Sequence, residues 1–150
     1  MVRAVFDTNL LVSAFLSRAN PGGVTGELLR VAKEGSVELC ISTEILGETL
    51  TTLIGSDRLR RRYDYTPEIA LQYCAELVAA PTIIVDAPPL TGAVARDPDD
   101  DKIIACAVAA GAEYLVSRDD DLIALGAYDE IKIVLPEAFL RIVRGSSQKP

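Results

Sequence analysis

A chain of 150 residues, 49% of them apolar, has the length and hydrophobic content of one compact domain with a sizeable core. It contains no histidine, which excludes imidazole general bases, Ser-His triads and His-ligated zinc and leaves carboxylates, hydroxyls, lysine, cysteine or a metal to carry any catalysis. The net charge of −7 is uneven: residues 97–121 hold eight acids against Lys102 and Arg118, a local balance of −6.

Residues 3–6 are a β-prone apolar run, and Asp7-Thr8-Asn9 supplies turn and N-cap chemistry ahead of the apolar residues 10–16, so the chain opens as strand, sharp turn, helix. Residues 18–23, with Asn20-Pro21-Gly22-Gly23, read as a loop. Val24, Leu28, Leu29, Val31 and Ala32 then fall at helical spacing until Gly35 stops them. A second strand is expected over 37–41. Ser42 caps a helix whose apolar stripe is Ile45, Leu46, Leu50, Leu53 and Ile54 and which carries Glu44 and Glu48 one turn apart.

Residues 56–63 read as a short helix, Thr66-Pro67 opens another that runs to about Val78, and residues 82–85 form a strand before Pro88-Pro89. Asp97-Pro98-Asp99-Asp100 marks a helix start. Residues 103–110, apolar nearly all round, continue it as a buried helix that Gly111 ends. A strand at 114–116, a turn at 117–121, a short helix at 122–125, a strand at 131–134 and a C-terminal helix complete the series, with 145–150 a frayed tail.

Strands alternating with helices imply right-handed crossovers: an α/β fold with a mainly parallel sheet covered on both sides, in one domain over 1–144. Cys40, Cys74 and Cys106 show none of the paired spacings of a zinc site or disulfide framework and are expected to be buried small hydrophobes. No run approaches the roughly 18 apolar residues of a membrane span, and Met-Val-Arg leads straight into a short apolar segment, so a soluble cytoplasmic protein with no membrane partner is expected.

Sites in parallel α/β sheets lie outside the carboxyl ends of the strands. Asp7 and Asp119 each follow a strand, and should emerge at the same edge. Asp97, Asp99, Asp100 and Asp101 surround a helix N-terminus, whose dipole favours one or two negative charges better than four. Glu48, or Glu44, can reach that edge from its helix, and Glu48, deeper in the helix, is preferred. Taken singly, each aspartate is explained by helix capping. Taken together, packed carboxylates raise one another's pKa unless a cation compensates them, and hard oxygen ligands suit one or two Mg²⁺ or Mn²⁺ ions beside a phosphate.

The stretches VFDTNLLVSAFL, ISTEILGETL and DPDDDKIIACAVAAGAEYLVSRDDDLIAL, in this order, resemble the PIN-domain ribonuclease family, in particular its VapC-like toxins. The resemblance implies a three-layer α/β/α sandwich around about five strands. By motif position it places metal ligands and catalytic acids at Asp7, Glu48, Asp100 and Asp119, with Asp97, Asp101 and Asp121 as auxiliary ligands and Thr8, Asn9 and Ser117 in support. It also implies RNA as substrate, a homodimer and a cognate antitoxin that blocks the site.

Phosphate contacts are normally made by Lys and Arg, so an acidic edge needs basic surface nearby. Arg58, Arg60, Arg61 and Arg62 form the one basic cluster, with Arg18 and Arg118 as alternative contacts. Solvation of a helix face accounts for such a run equally well. The resulting expectation is a divalent-metal-dependent endoribonuclease whose activated water attacks an RNA phosphodiester, leaving a 5′-phosphate and a 3′-hydroxyl. A structure-specific DNA nuclease and a non-catalytic metal- or RNA-binding PIN-like module are the alternatives.

Overall fold

The run β1 (Val2–Phe6) holds Ala4, Val5 and Phe6, all buried, because a strand covered on both faces is an unbroken apolar stretch rather than an alternating one. The computed structural model, which describes residues 2–20, 22–79, 81–90 and 98–148 (backbone alone for 146–148), puts this strand in the interior of the sheet. With β2 (Val37–Ser42), β3 (Ile83–Val85), β4 (Tyr114–Val116), β5 (Ala127–Tyr128) and β6 (Ile131–Val134) it forms a six-stranded sheet in the order β3-β2-β1-β4-β6-β5. All neighbours are parallel except β5 and β6. Val2 pairs with Val37 and Ala4 with Tyr114, so β1 has β2 on one side and β4 on the other.

Eight helices occur among the described residues: α1 (Thr8–Leu16), α2 (Val24–Lys33), α3 (Thr43–Gly55), α4 (Asp57–Tyr63), α5 (Pro67–Val78), α6 (Pro98–Ala110), α7 (Asp120–Leu125) and α8 (Pro136–Gln148). They make the mostly parallel sheet the middle of a three-layer α/β/α fold. Helix α6 packs across β1, β2, β3 and β4, which is why Ile103 to Ala107 are all buried, whereas Val108 points outward. Phe139 of α8 meets Phe6 of β1 and Tyr114 of β4 edge-on, with ring centroids 5.9 and 5.7 Å apart. A second cluster, Val12, Phe15, Leu53, Tyr65 and Ala70, joins α1, α3 and α5, and Tyr65 satisfies its buried hydroxyl on the Leu53 carbonyl at 2.6 Å.

Several local expectations shift. Strand β5, only two residues long, is too short to show a period-two pattern; it pairs with β6 around a turn in which Asp129 takes a positive φ of 51°. In α3 Thr49 is buried with Ile45 and Leu53 while Leu50 is only half-buried; the Thr49 hydroxyl is satisfied by donating to the Ile45 carbonyl at 2.8 Å. Helix α8 continues through Gly145 to Gln148, past the expected boundary at 144, since one glycine lowers helix stability by only about 1 kcal/mol. The three cysteines are buried, and burial raises each thiol, that of Cys106 to about 11, which leaves them protonated and unreactive.

Candidate metal centre

Three strand-to-helix joints build the site. After β1 the chain enters α1 through Asp7, whose Oδ1 accepts the Leu10 N–H at 2.9 Å as an N-cap. After β2, Ser42 caps α3 by accepting from Ile45 N, which sets the helix that carries Glu48. After β4, Asp119 caps α7, its Oδ1 accepting from Asp121 N at 3.0 Å and Leu122 N at 3.1 Å. Because β1, β2 and β4 are adjacent and parallel, all three joints open at the same edge.

Asp7 is 4% exposed and Asp100, in the first turn of α6, is 8% exposed. Ser117, fully buried, ties the two strand-end joints together: its hydroxyl donates to Asp7 Oδ2 and accepts the Asp119 N–H at 2.9 Å. Burial pushes the Asp7 carboxyl above its ordinary range. The Ser117 and Leu10 hydrogen bonds pull it down, and the Asp119 charge pushes it further up.

Carboxylate oxygens of Asp100, Asp119 and Asp121 lie within 4.8 Å of one another. Opposite ligands of a hard ion with oxygens at about 2.1–2.4 Å stand about 4.2–4.8 Å apart, so the three fit one divalent cation in both spacing and donor chemistry. Asp7, Thr8, Asn9, Glu48, Asp100 and Asp119 line a cleft of about 600 Å³ together with Glu44, Asp99 and Lys102. Glu48 sits on the wall of this cleft outside the close trio: Oε2 accepts the Thr8 hydroxyl at 3.3 Å and Oε1 the Lys102 ammonium at 2.9 Å. Thr8 therefore serves as a hydrogen-bond donor inside α1, and the cap itself is Asp7.

The neighbours of Asp100 separate. Asp101, one residue and about 100° further round α6, lines a different cavity of about 350 Å³ with Ala87, Pro89 and Leu90. Asp97 lies outside the described residues. Asp121, taken from sequence as an auxiliary, stands in the close trio.

None of the six candidate arginines lines the acidic cleft. Arg18 folds back over Phe15, 4.1 Å from the ring centroid, and its Nη1 donates to the Phe15 carbonyl at 3.0 Å. Arg118 meets Glu137 of α8 at 2.5 Å; it lies between Ser117 and Asp119, and side chains alternate about the end of a strand. On α4, Arg60 pairs with Asp57, and Arg62 sits over the Tyr63 ring at 5.4 Å. Sequence reasoning passes over Lys102, the one cation among the described residues that line the cleft. Its signal is the lysine closing the DPDDDK stretch, two residues after Asp100.

No helix among the described residues is long and apolar enough to cross a membrane. A family model described as a PIN domain matches residues 3–121, a span that contains every joint of the site. A search of curated proteins found no match to the chain.

Proposed function

Because the chain belongs to the PIN-domain family, whose members are in general nucleases, we propose that it is a divalent-metal-dependent endoribonuclease. The observation that carries this reading is the convergence of Asp100, Asp119 and Asp121 beside Asp7 at the carboxyl edge of the sheet. A bound Mg²⁺ or Mn²⁺ supplies Lewis-acid neutralisation of phosphate charge and lowers the pKa of water towards neutrality.

The chain's own residues prepare that place. Asp119 is turned by the two N–H groups on its Oδ1, and Asp100 is fixed by burial at the start of α6. Asp7, held by Ser117 and Leu10, keeps a second lone pair on each oxygen and so can join the ligand set without losing its cap. Glu48 and Asn9 line the same cleft as these acids.

The motifs around Asp7, Glu48, Asp100 and Asp119 support a finer reading: the toxin of a toxin-antitoxin pair, acting on RNA in the cytoplasm as a homodimer and silenced by a cognate antitoxin. Cleavage of single-stranded RNA, with flap-structured DNA in parallel, is measured in Mn²⁺ and in chelator for the parent and Asp119→Asn proteins. Metal-dependent RNA cleavage by the parent, lost in the variant, is the expected result. Cleavage of the DNA alone replaces the substrate, and equal, chelator-insensitive cleavage by both proteins overturns the reading.

A further inference from the structure

The cleft presents a charge problem. Asp7, Glu44, Glu48, Asp99, Asp100 and Asp119 all line it, and a polyanion entering it needs a cation at the point of entry. Arg60 and Arg62 of α4, Arg18 and Arg118 are engaged elsewhere, and Arg58 and Arg61 do not line the cleft.

We propose that Lys102 is the phosphate-binding residue of this cleft and that Glu48 is the residue that positions it. Lys102 Nζ stands 2.9 Å from Glu48 Oε1 and 3.7 Å from Asp99 Oδ1. The other oxygen of Glu48 takes the Thr8 hydroxyl, so the carboxylate is gripped from two sides, between α1 and α6. The lysine side chain is 48% exposed, and an ammonium has three donors. Two carboxylates fix its direction while a donor remains to meet a non-bridging phosphate oxygen.

Lys102 comes two residues after Asp100 on the same helix. Metal ligand and phosphate cation are thus displaced together by any shift of α6.

The inference rests on the nuclease reading for its substrate, and its test is separable from it. A labelled single-stranded RNA is titrated onto Asp7→Asn protein in Mn²⁺, with and without Lys102→Met or Lys102→Arg, across a salt series; Mn²⁺ affinity is measured on the same proteins without RNA. Lys102→Met is expected to weaken RNA binding about tenfold. The slope of log affinity against log salt should fall by about 0.7, the share of one single-strand phosphate. Mn²⁺ affinity should stay within about twofold, and Lys102→Arg should recover most of the RNA binding.

Unchanged RNA affinity and slope in Lys102→Met overturn the proposal. So does tighter Mn²⁺ binding with RNA binding unchanged, which makes the lysine a stand-in for the ion that gives way when metal arrives. If the parent cuts no RNA yet the Lys102 variants shift binding as stated, the phosphate site stands and the nuclease reading falls.

Discussion

The hydroxyl of Ser117 donates to Asp7 across the junction of β1 and β4, and the same oxygen receives the backbone N–H of Asp119. One small side chain therefore fixes the relative position of two acids 112 residues apart in sequence. Nearby, the Asp7 N–H donates to the Val116 carbonyl at 3.2 Å, so backbone and side chain enforce the same register. Replacing Ser117 by Ala leaves the strands paired but removes this link. Loss of the buried bond is expected to cost about 1–3 kcal/mol in urea unfolding, and Mn²⁺ affinity is expected to fall. Ser117→Thr, which keeps the hydroxyl, should retain more of that affinity than Ser117→Ala; equal affinities would separate the hydroxyl from metal binding.

Asp7 makes the fold sensitive to pH in a direction opposite to that of a salt-bridged carboxylate. Its folded pKa is raised, chiefly by burial, above an ordinary value of 3.8. At pH below that value the group is protonated in both states and costs nothing. As the pH rises through the folded pKa the carboxyl must ionise against its burial, and the stability it allowed is lost. In chelator, Asp7→Asn is therefore expected to gain stability relative to the parent as pH goes from about 4 to 7, and saturating Mn²⁺ should narrow the gap. Thermal unfolding of both proteins over that range checks it; a gap independent of pH counts against a raised Asp7.

Capping and metal binding can be separated at Asp119. Asparagine still accepts the Asp121 and Leu122 N–H groups, whereas alanine does not. Asp119→Ala should be less stable than Asp119→Asn by about 1 kcal/mol in denaturant unfolding. Both should lose the thermal stabilisation by Mn²⁺ expected of the parent, about 2.7 kcal/mol at a hundredfold excess over its Kd. Retained stabilisation in Asp119→Asn would remove that carboxylate from the ligand set.

The register of the DPDDD stretch is open to the same measurement. Asp100 belongs to the close trio, and Asp101 to an adjoining cavity that shares Glu44 and Lys102 with the cleft. Isothermal titration with Mn²⁺ should show at least a tenfold loss for Asp100→Asn, on the scale of a lost charged contact, and a change of about twofold or less for Asp101→Asn. The reverse ranking would move the site one residue along α6.

Away from the cleft, Tyr65→Phe removes the bond to the Leu53 carbonyl while preserving the edge-on contact with Phe15 at 4.8 Å. A loss of about 1 kcal/mol in stability with metal affinity intact is expected from equilibrium unfolding in urea.

How far the chain can be read without coordinates depends on what each residue needs in order to be placed. Asp7 and Asp119 are legible because an aspartate between an apolar strand and an apolar helix caps that helix whatever else it does, and the cap fixes its direction. The alternating order of strands and helices gives the layers directly. Strand β5 is too short for any periodic signal. Asp100 and Asp101 cannot be told apart from a run of like residues, since the choice turns on the rotation of α6 against the sheet. Lys102 is invisible for the same reason: its partner Glu48 lies 54 residues away on a helix whose azimuth no local pattern reveals. Arg18 and Arg118 look close to the site along the chain, but one is captured by an aromatic ring and the other by α8.

The strand order has a temporal side. Asp7 leaves the ribosome first, Glu48 later, and Asp119 only after β4, yet the three meet solely because β2 and β4 flank β1. Until β4 has been synthesised and has taken its place beside β1, the nascent chain holds scattered acids and no cleft. The acidic edge is thus assembled late: it needs β4 in its place beside β1 before Asp119 can join Asp7.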